Sequence, residues 1–528
     1  METTIIHTYF LWRKILTVLI VKMTLLKRNV KSFISKSIKY YSSTNVEVNI
    51  EEKWKCAKPF SEIPSLPMLP IIGTAWHYMP IIGRFRLDRQ HEANEEKRKL
   101  CGDILREKIG SLDIVISFRA EDLREILRNE GTYPYRVEFT SIRAYRESRK
   151  HWFSTAGLLA VQGEEWHHLR TRTQEHLLKP AAVLKYFDAL QDVAKEFVGT
   201  IFKNRDSNNE VPNFVKELYK WTLESVCYVG LDTRLGCLEN SDGMKMINSV
   251  LSQFEYMIKL EAFSGRIQFW KYFSTPTWRK FVKYSDMYSE IAFKYINKAL
   301  KDLESKTDED KLTLIQALVI NKKLDVKDIM VMVADFLMAG IETTSHSAGF
   351  LLYHLAKNPD KQQKLYEEIT KILPTKDLKI TTEMYEYQMK YLRSCFKESL
   401  RLNPVVGGTA RILAKDAVLS GYHVPAGTLA TIPYHELFIH EKYYEEPLKF
   451  IPERWIDKNK DFNPFAFVPF GFGPRSCIGK RLAELEISLF VTELIRNFKI
   501  EYHYEDIGVK TLLANVPDKP LRFSFVER

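Results

Sequence analysis

Along the 528 residues the apolar positions follow two rhythms. From Trp166 to about residue 373 they recur every three to four residues, with few glycine or proline breaks. This predicts a succession of helices. One long helical run begins near Val326. Elsewhere the rhythm shortens. Residues 112–118, Leu-Asp-Ile-Val-Ile-Ser-Phe, predict a short buried strand, and 121–129 predict a helix after it. Residues 422–433 predict more short strands broken by Gly and Pro, and a long amphipathic helix follows Gly479. Pro59, Pro64, Pro67 and Pro70 exclude regular helix or central strand and predict a stiff lead-in to the fold. No repeat or low-complexity linker interrupts the pattern. It predicts one large, mainly α domain with small β-sheets.

Composition adds exclusions. With 45% apolar and 27% charged residues, the chain can bury a large core and is not a disordered or collagen-like sequence. Six cysteines without a Cys-x-x-Cys pair exclude a zinc ribbon and a disulfide framework, and suggest a reducing compartment. The net charge of +11 is unevenly spread. Residues 1–46 carry eight basic side chains against one acid, Glu2, so the remainder is near balance and no nucleic-acid surface is indicated. The same segment is hydroxyl-rich, and its longest apolar core, 15–21, falls short of the ~20 residues a membrane span needs. It predicts a mitochondrial transit peptide over 1–46 and a mature domain over 47–528, a basic tail being the plainer alternative.

Candidate chemistry concentrates in one loop, Phe470-Gly471-Phe472-Gly473-Pro474-Arg475-Ser476-Cys477-Ile478-Gly479. A cysteine at a helix N-terminus and two residues from an arginine has its thiolate favoured. The flanking glycines let backbone approach a flat ligand and aim amides at sulfur. On the loop alone, a metal-binding thiolate and a buried structural cysteine are equally good readings.

The loop satisfies Phe-x-x-Gly-x-Arg-x-Cys-x-Gly at every specified position. From about residue 59 onward the chain resembles the cytochrome P-450 family of haem-thiolate monooxygenases. Further segments match in order: Trp166-His167-His168-Leu169-Arg170, Ala339-Gly340-Ile341-Glu342-Thr343-Thr344, Glu398-Ser399-Leu400-Arg401 and Pro452-Glu453-Arg454-Trp455. Pro64-Ser65-Leu66-Pro67 departs from the Pro-Gly-Pro that many members carry. The resemblance implies that family's single-domain fold, with haem b between the long central helix and the cysteine loop. It implies Cys477 as axial thiolate, which pushes electron density onto iron and favours O–O cleavage. It implies Trp166, Arg170, Arg411 and Arg475 around the propionates, and Phe470 and Gly479 as cofactor-binding residues of the loop. Thr343 is then expected to hydrogen-bond bound oxygen and Glu342 to relay protons. Glu398, Arg401 and Arg454 are expected to form a buried structural triad.

Adjacent His167 and His168 face different ways on a helix, and His435 and His440 lack partners at ligand spacing. All four read as structural or surface residues. No flavin or nicotinamide fingerprint occurs, so electrons come from a partner. Lys390, Arg393 and Lys397 share a helix face, and Lys480 and Arg481 open the helix after Cys477. Together they suit an acidic redox protein. The resemblance makes that protein a [2Fe-2S] ferredoxin fed by an NADPH–ferredoxin reductase, on the matrix side of the inner mitochondrial membrane. It also implies a sterol substrate. Segments 351–359 and 401–427 look most like arthropod ecdysteroid 22-hydroxylases; another mitochondrial ecdysteroid hydroxylase or a detoxifying monooxygenase is the alternative. A haem-thiolate sensor is the non-enzyme alternative, against which Glu342–Thr343 and the basic patch count. Phe139, Val405, Val406, Leu512 and Leu513 fall at pocket-wall positions that serve equally as core. Over 260–278, Phe263, Phe269, Trp270, Tyr272, Phe273 and Trp278 lie among Arg266, Lys271 and Arg279, which suits either a peripheral membrane contact or core packing.

Overall fold

The computed structural model describes residues 50–79, 81–110, 112–236, 241–262, 268–303, 314–320, 324–456 and 462–528. The chain divides into two units, Met1–Lys58 and Pro59–Arg528. In the first, the described part contains one short helix, Ile50–Lys55. The expected transit segment lies outside the described residues.

The longer helices of the second unit are α1 (Gln90–Cys101), α2 (Ala120–Arg128), α3 (Thr140–Glu147), α4 (Gly163–Thr173), α5 (Phe187–Asn204), α6 (Phe214–Leu231), α7 (Ser241–Ala262), α8 (Pro276–Leu303), α9 (Val326–Lys357), α10 (Pro359–Ile372), α11 (Lys390–Leu402) and α12 (Lys480–Asn497). A four-stranded sheet joins β1 (Ile104–Ile109), β2 (Leu112–Ser117), β6 (Leu429–Pro433) and β3 (Gly408–Ile412) in that order. Within it, β2 and β6 run parallel and the outer pairs antiparallel. Three two-stranded ribbons complete the strands: β4 (Ala417–Leu419) with β5 (Tyr422–Val424), β7 (Phe498–Glu501) with β10 (Ser524–Glu527), and β8 (Val509–Thr511) with β9 (Asn515–Pro517). The unit is mainly α with small sheets, as the pattern predicts. Among the described residues no helix is long and apolar enough to cross a membrane.

α9 is the axis. Asp325 caps its N-terminus by accepting from the amides of Lys327 and Asp328. Pro359, at the first position of α10, forces the chain to restart there. Between those ends α9 is apolar on nearly every face, because α6, α11 and α12 all pack against it. At Gly340 a Cβ would lie 2.9 Å from Val226 Cγ2, so the missing side chain lets α6 approach. Trp221 of α6 stacks on Phe490 of α12 with centroids 3.8 Å apart.

The expected triad is a buried junction. Arg401 donates from Nε and Nη2 to Glu398 at 3.0 and 2.8 Å. Arg454 Nε, Trp455 Nε1 and the Ile451 amide also donate to Glu398, at 3.0, 2.8 and 3.0 Å. The remaining Arg401 donors reach the carbonyls of Phe438, Pro447 and Lys449. Five donors on one carboxylate tie α11 to the segment leading into the cysteine loop. Removing one partner of such a pair costs about 3–5 kcal/mol.

Candidate active site and its cavity

The cysteine loop is held by its own backbone. The Cys477 amide donates to Phe470 O at 2.8 Å, and the Ser476 amide to Gly473 O at 3.1 Å. Gly471 and Gly473 adopt φ of 70° and 74°, a conformation that costs glycine nothing. The chain then enters α12 at Gly479. Burial within the protein pushes the Cys477 thiol up. The backbone amides of Gly479 and Lys480 and the Arg170 cation act the other way and favour thiolate. The side chain has free surface, and that surface faces a cavity of about 400 Å³. Among the described residues Cys477 is the one cysteine on its wall.

Across the cavity α9 contributes Ala339, Gly340 and Thr343. The Thr343 hydroxyl donates to Ala339 O at 2.9 Å, and Ser347 to Thr343 O at 2.8 Å. Leu158, Leu177, Met332, Phe336, Val405 and Val406 make much of the wall apolar. Phe139, Leu512 and Leu513 are not on it; Phe139 and Leu513 pack against the core behind.

One end of the cavity is cationic. Arg136, Arg170, Arg411 and Arg475 all line it. Arg475 lies 3.7 Å over the Trp166 ring and donates to Pro134 O and Gln162 Oε1 at 3.0 and 2.8 Å. Its Nη1 is buried without a partner. Arg170 donates to Ser476 O at 2.8 Å, and Arg411 to Glu130 at 2.5 Å. Burial and the neighbouring arginines pull Arg475 down to about 8 and Arg136 down to about 10. Glu130 offsets part of one charge, leaving a site that electrostatics would fill with anions.

Thus Trp166, Arg170, Arg411 and Arg475 share one cavity with Phe470, Cys477, Gly479 and Thr343. Glu342 is off that wall. It is buried on the adjoining face of α9, where burial pushes its carboxyl up to about 7. Arg136 was not legible in the sequence: it follows Tyr135 in a loop with no motif, and no spacing connects it to Cys477. Glu130, the counter-charge of Arg411, and Gln162, which accepts from Arg475 and from the Arg136 amide, were missed for the same reason.

A model of the cytochrome P450 family matches residues 64–523. The chain belongs to that family. It is therefore a haem-thiolate monooxygenase, whose members bind haem b through a cysteine. The chain is 37% identical over 517 residues to probable cytochrome P450 12a5, mitochondrial, of Drosophila melanogaster, covering 92% of this chain and 94% of the relative. It is 35% identical to probable cytochrome P450 49a1 (89% and 83% covered) and 33% to cytochrome P450 302a1, mitochondrial (88% and 95%), both of that fly. These likenesses place it in the family's mitochondrial clan. The residues present fit the cofactor. A thiol faces the cavity, the walls are mainly apolar, and an unpartnered buried guanidinium nitrogen stands in a surplus of cations suited to two carboxylates.

Two surfaces differ from expectation in detail. Arg393, Lys397, Lys480 and Arg481 all bear on Glu484 and so do gather. Arg393 is not a free cation: it donates to the carbonyls of Met389, Tyr385 and Glu386 at 3.0, 2.5 and 2.7 Å. Arg481 donates to Leu178 O. In the aromatic span, Trp270 is buried and stacks on Trp278 at 4.6 Å, so this pair is core. Tyr272 and Phe273 are 77% and 70% exposed. Phe263, Arg266 and the Phe269 side chain lie outside the description. His167 and His168 are exposed and His440 is buried. Among the described residues no cluster of His, Cys, Asp and Glu could hold a metal ion.

Proposed function

We propose that the chain hydroxylates an apolar sterol in the mitochondrial matrix, with Cys477 as the iron ligand. The observation that carries this reading is the single cavity walled by Cys477, Thr343 and apolar side chains, with four arginines at one end. When bound, the haem supplies a thiolate-ligated iron that activates dioxygen for insertion of one oxygen atom into substrate. The chain's own residues do the rest. The amides of Gly479 and Lys480 favour the Cys477 thiolate. Arg136, Arg170, Arg411 and Arg475, with Trp166 beneath Arg475, hold the propionates. Thr343 can release Ala339 O and turn its hydroxyl into the cavity, while buried Glu342 holds an exchangeable proton near neutrality. The apolar wall excludes water and orients a non-polar skeleton.

The electron donor in this reading is an acidic [2Fe-2S] ferredoxin meeting Lys397, Lys480 and Arg481, reduced in turn by NADPH–ferredoxin reductase. The word mitochondrial in the relatives' names and the basic segment 1–46 support the location. Tyr272 and Phe273 are the aromatics available for a membrane surface through which a sterol could arrive.

The specific reaction proposed is ecdysteroid 22-hydroxylation, supported by the sequence likeness of 351–359 and 401–427. The alternatives are oxidation of another ecdysteroid carbon or of a foreign apolar compound. A reconstituted system with ferredoxin, reductase, NADPH and a panel of steroids decides. The expected product carries one added oxygen at C-22. Oxidation at another carbon, or turnover only of non-steroidal compounds, contradicts the assignment.

A further inference from the structure

Residues 129–136 form a strap across the cationic end of the cavity, and their backbone is tied to three neighbouring segments. The Ala414 amide donates to Asn129 O at 2.8 Å and the Ile412 amide to Tyr135 O at 3.1 Å, so both ends of the strap are fixed to β3 and the residues after it. Arg475 Nε donates to Pro134 O at 3.0 Å, which adds the cysteine loop. The Arg136 amide donates to Gln162 Oε1 at 3.2 Å, just before α4. Gly131 turns the strap at a φ of 76°, and a Cβ there would lie 3.0 Å from Ala414 Cβ. The strap brings two charged side chains to the site. Arg136 lines the cavity, and Glu130 stands off its wall.

Glu130 lies behind Arg411. Its Oε2 accepts from Arg411 Nε at 2.5 Å, and the two side chains are 7% and 3% exposed. Its Oε1 lies against the cysteine loop, where a Cβ at Gly473 would come within 3.1 Å of it. Arg411 Nη1 is engaged by Thr409 Oγ1 and Ala410 O at 2.9 and 3.0 Å. Fixed at Nε and Nη1, the planar guanidinium has Nη2 left for the cavity that Arg411 lines. A guanidinium buried this deeply needs a counter-charge to be held there. Glu130 also acts electrostatically on Arg475, across the loop. One acid on the strap thus holds one arginine and weakens the field of a second. Charges in a water-poor site are little screened, so they act on any redox centre placed among them. The arginines favour the extra electron of a reduced haem, and the carboxylate behind them opposes it.

We propose that Glu130 is a positioning residue: through Arg411 it aims a donor at a haem carboxylate, and as the negative charge behind the arginines it holds the haem potential down. This rests on the reading of the arginines as propionate partners. The test is a spectroelectrochemical titration of the full-length, haem-loaded, substrate-free protein. Glu130→Gln keeps the size and an acceptor oxygen but removes the charge. Its ferrous-to-ferric ratio at a fixed potential should rise about threefold or more, an upward shift of ~30 mV for one electron. Glu130→Asp keeps the charge and should stay nearer the native ratio. A role in packing alone would leave the potential of Glu130→Gln where it was. A smaller rise, no change or a fall in Glu130→Gln overturns the proposal, and so does an equal rise in Glu130→Asp. If Glu130→Gln does not retain haem, Glu130→Met is titrated in its place. Loss of haem from both neutral variants also overturns the proposal, because the acid then serves assembly. Haem loss from Arg411→Met to a scavenger protein separates the two claims. A native rate there removes the propionate reading itself, whereas faster loss with an unmoved potential in Glu130→Gln removes only the role of Glu130.

Discussion

The Thr343 hydroxyl gives its hydrogen bond to the Ala339 carbonyl at 2.9 Å, a local bond that a better acceptor in the cavity can replace. Thr343→Ala is therefore expected to keep haem and substrate binding while lowering product per NADPH several-fold, with the balance appearing as peroxide. Native coupling would remove the role. Arg136 makes a complementary point. Held at low basicity by burial and two neighbouring arginines, it gains from any carboxylate placed beside it. Hydrogen bonds to charged groups are worth about 1.5–3 kcal/mol, so Arg136→Met should speed haem loss to a scavenger protein roughly 10- to 100-fold. Its role could not be read from the sequence, because what makes it matter is proximity to arginines from three distant segments. Cys477 was legible, because the residues that shape its loop are its immediate neighbours.

At the scale of elements, local pattern carried far. The strand expected at 112–118 is β2, the helix expected at 121–129 is α2, and the long run from Val326 is α9. What pattern could not supply was which long side chains the folded chain uses internally. Arg393 has the spacing of a docking cation, yet its guanidinium closes off carbonyls of the turn that precedes α11. Arg393→Ala should thus lower stability by about 1–3 kcal/mol in chemical unfolding. Lys397→Ala and Lys480→Ala should leave stability alone and weaken ferredoxin binding, most visibly at low salt. Equal stability in all three would return Arg393 to the docking face. In the same way, Trp270 has the look of a membrane anchor and is core. The membrane test belongs to exposed Tyr272 and Phe273, whose joint replacement by Asp should lower binding to anionic liposomes with the haem spectrum intact. Unchanged liposome binding would remove this surface from the account.

For the whole molecule, a few buried acids set the response to pH. Glu436 is buried, and burial outweighs the opposing pull of backbone, Lys97 and Asn94 and pushes its carboxyl up to about 8. A group whose pKa is raised on folding adds stability that is complete below its unfolded value, near 4.5, and lost as pH rises toward 8. Glu436→Gln should therefore be more stable than the native chain at pH 8, by about 1 kcal/mol or more, and lose that advantage by pH 5 in isothermal urea unfolding. The single-domain α architecture was legible from periodicity and absent linkers, and the site's position followed from two motifs that fold onto opposite walls of one cavity. The central claim is that this cavity holds haem through the Cys477 thiolate. The most direct measurement is the reduced carbon monoxide difference spectrum of the full-length protein and of Cys477→His. The native chain should give the red-shifted band of thiolate ligation, and the variant should lose it while retaining haem; a red-shifted band that survives in Cys477→His would contradict the account.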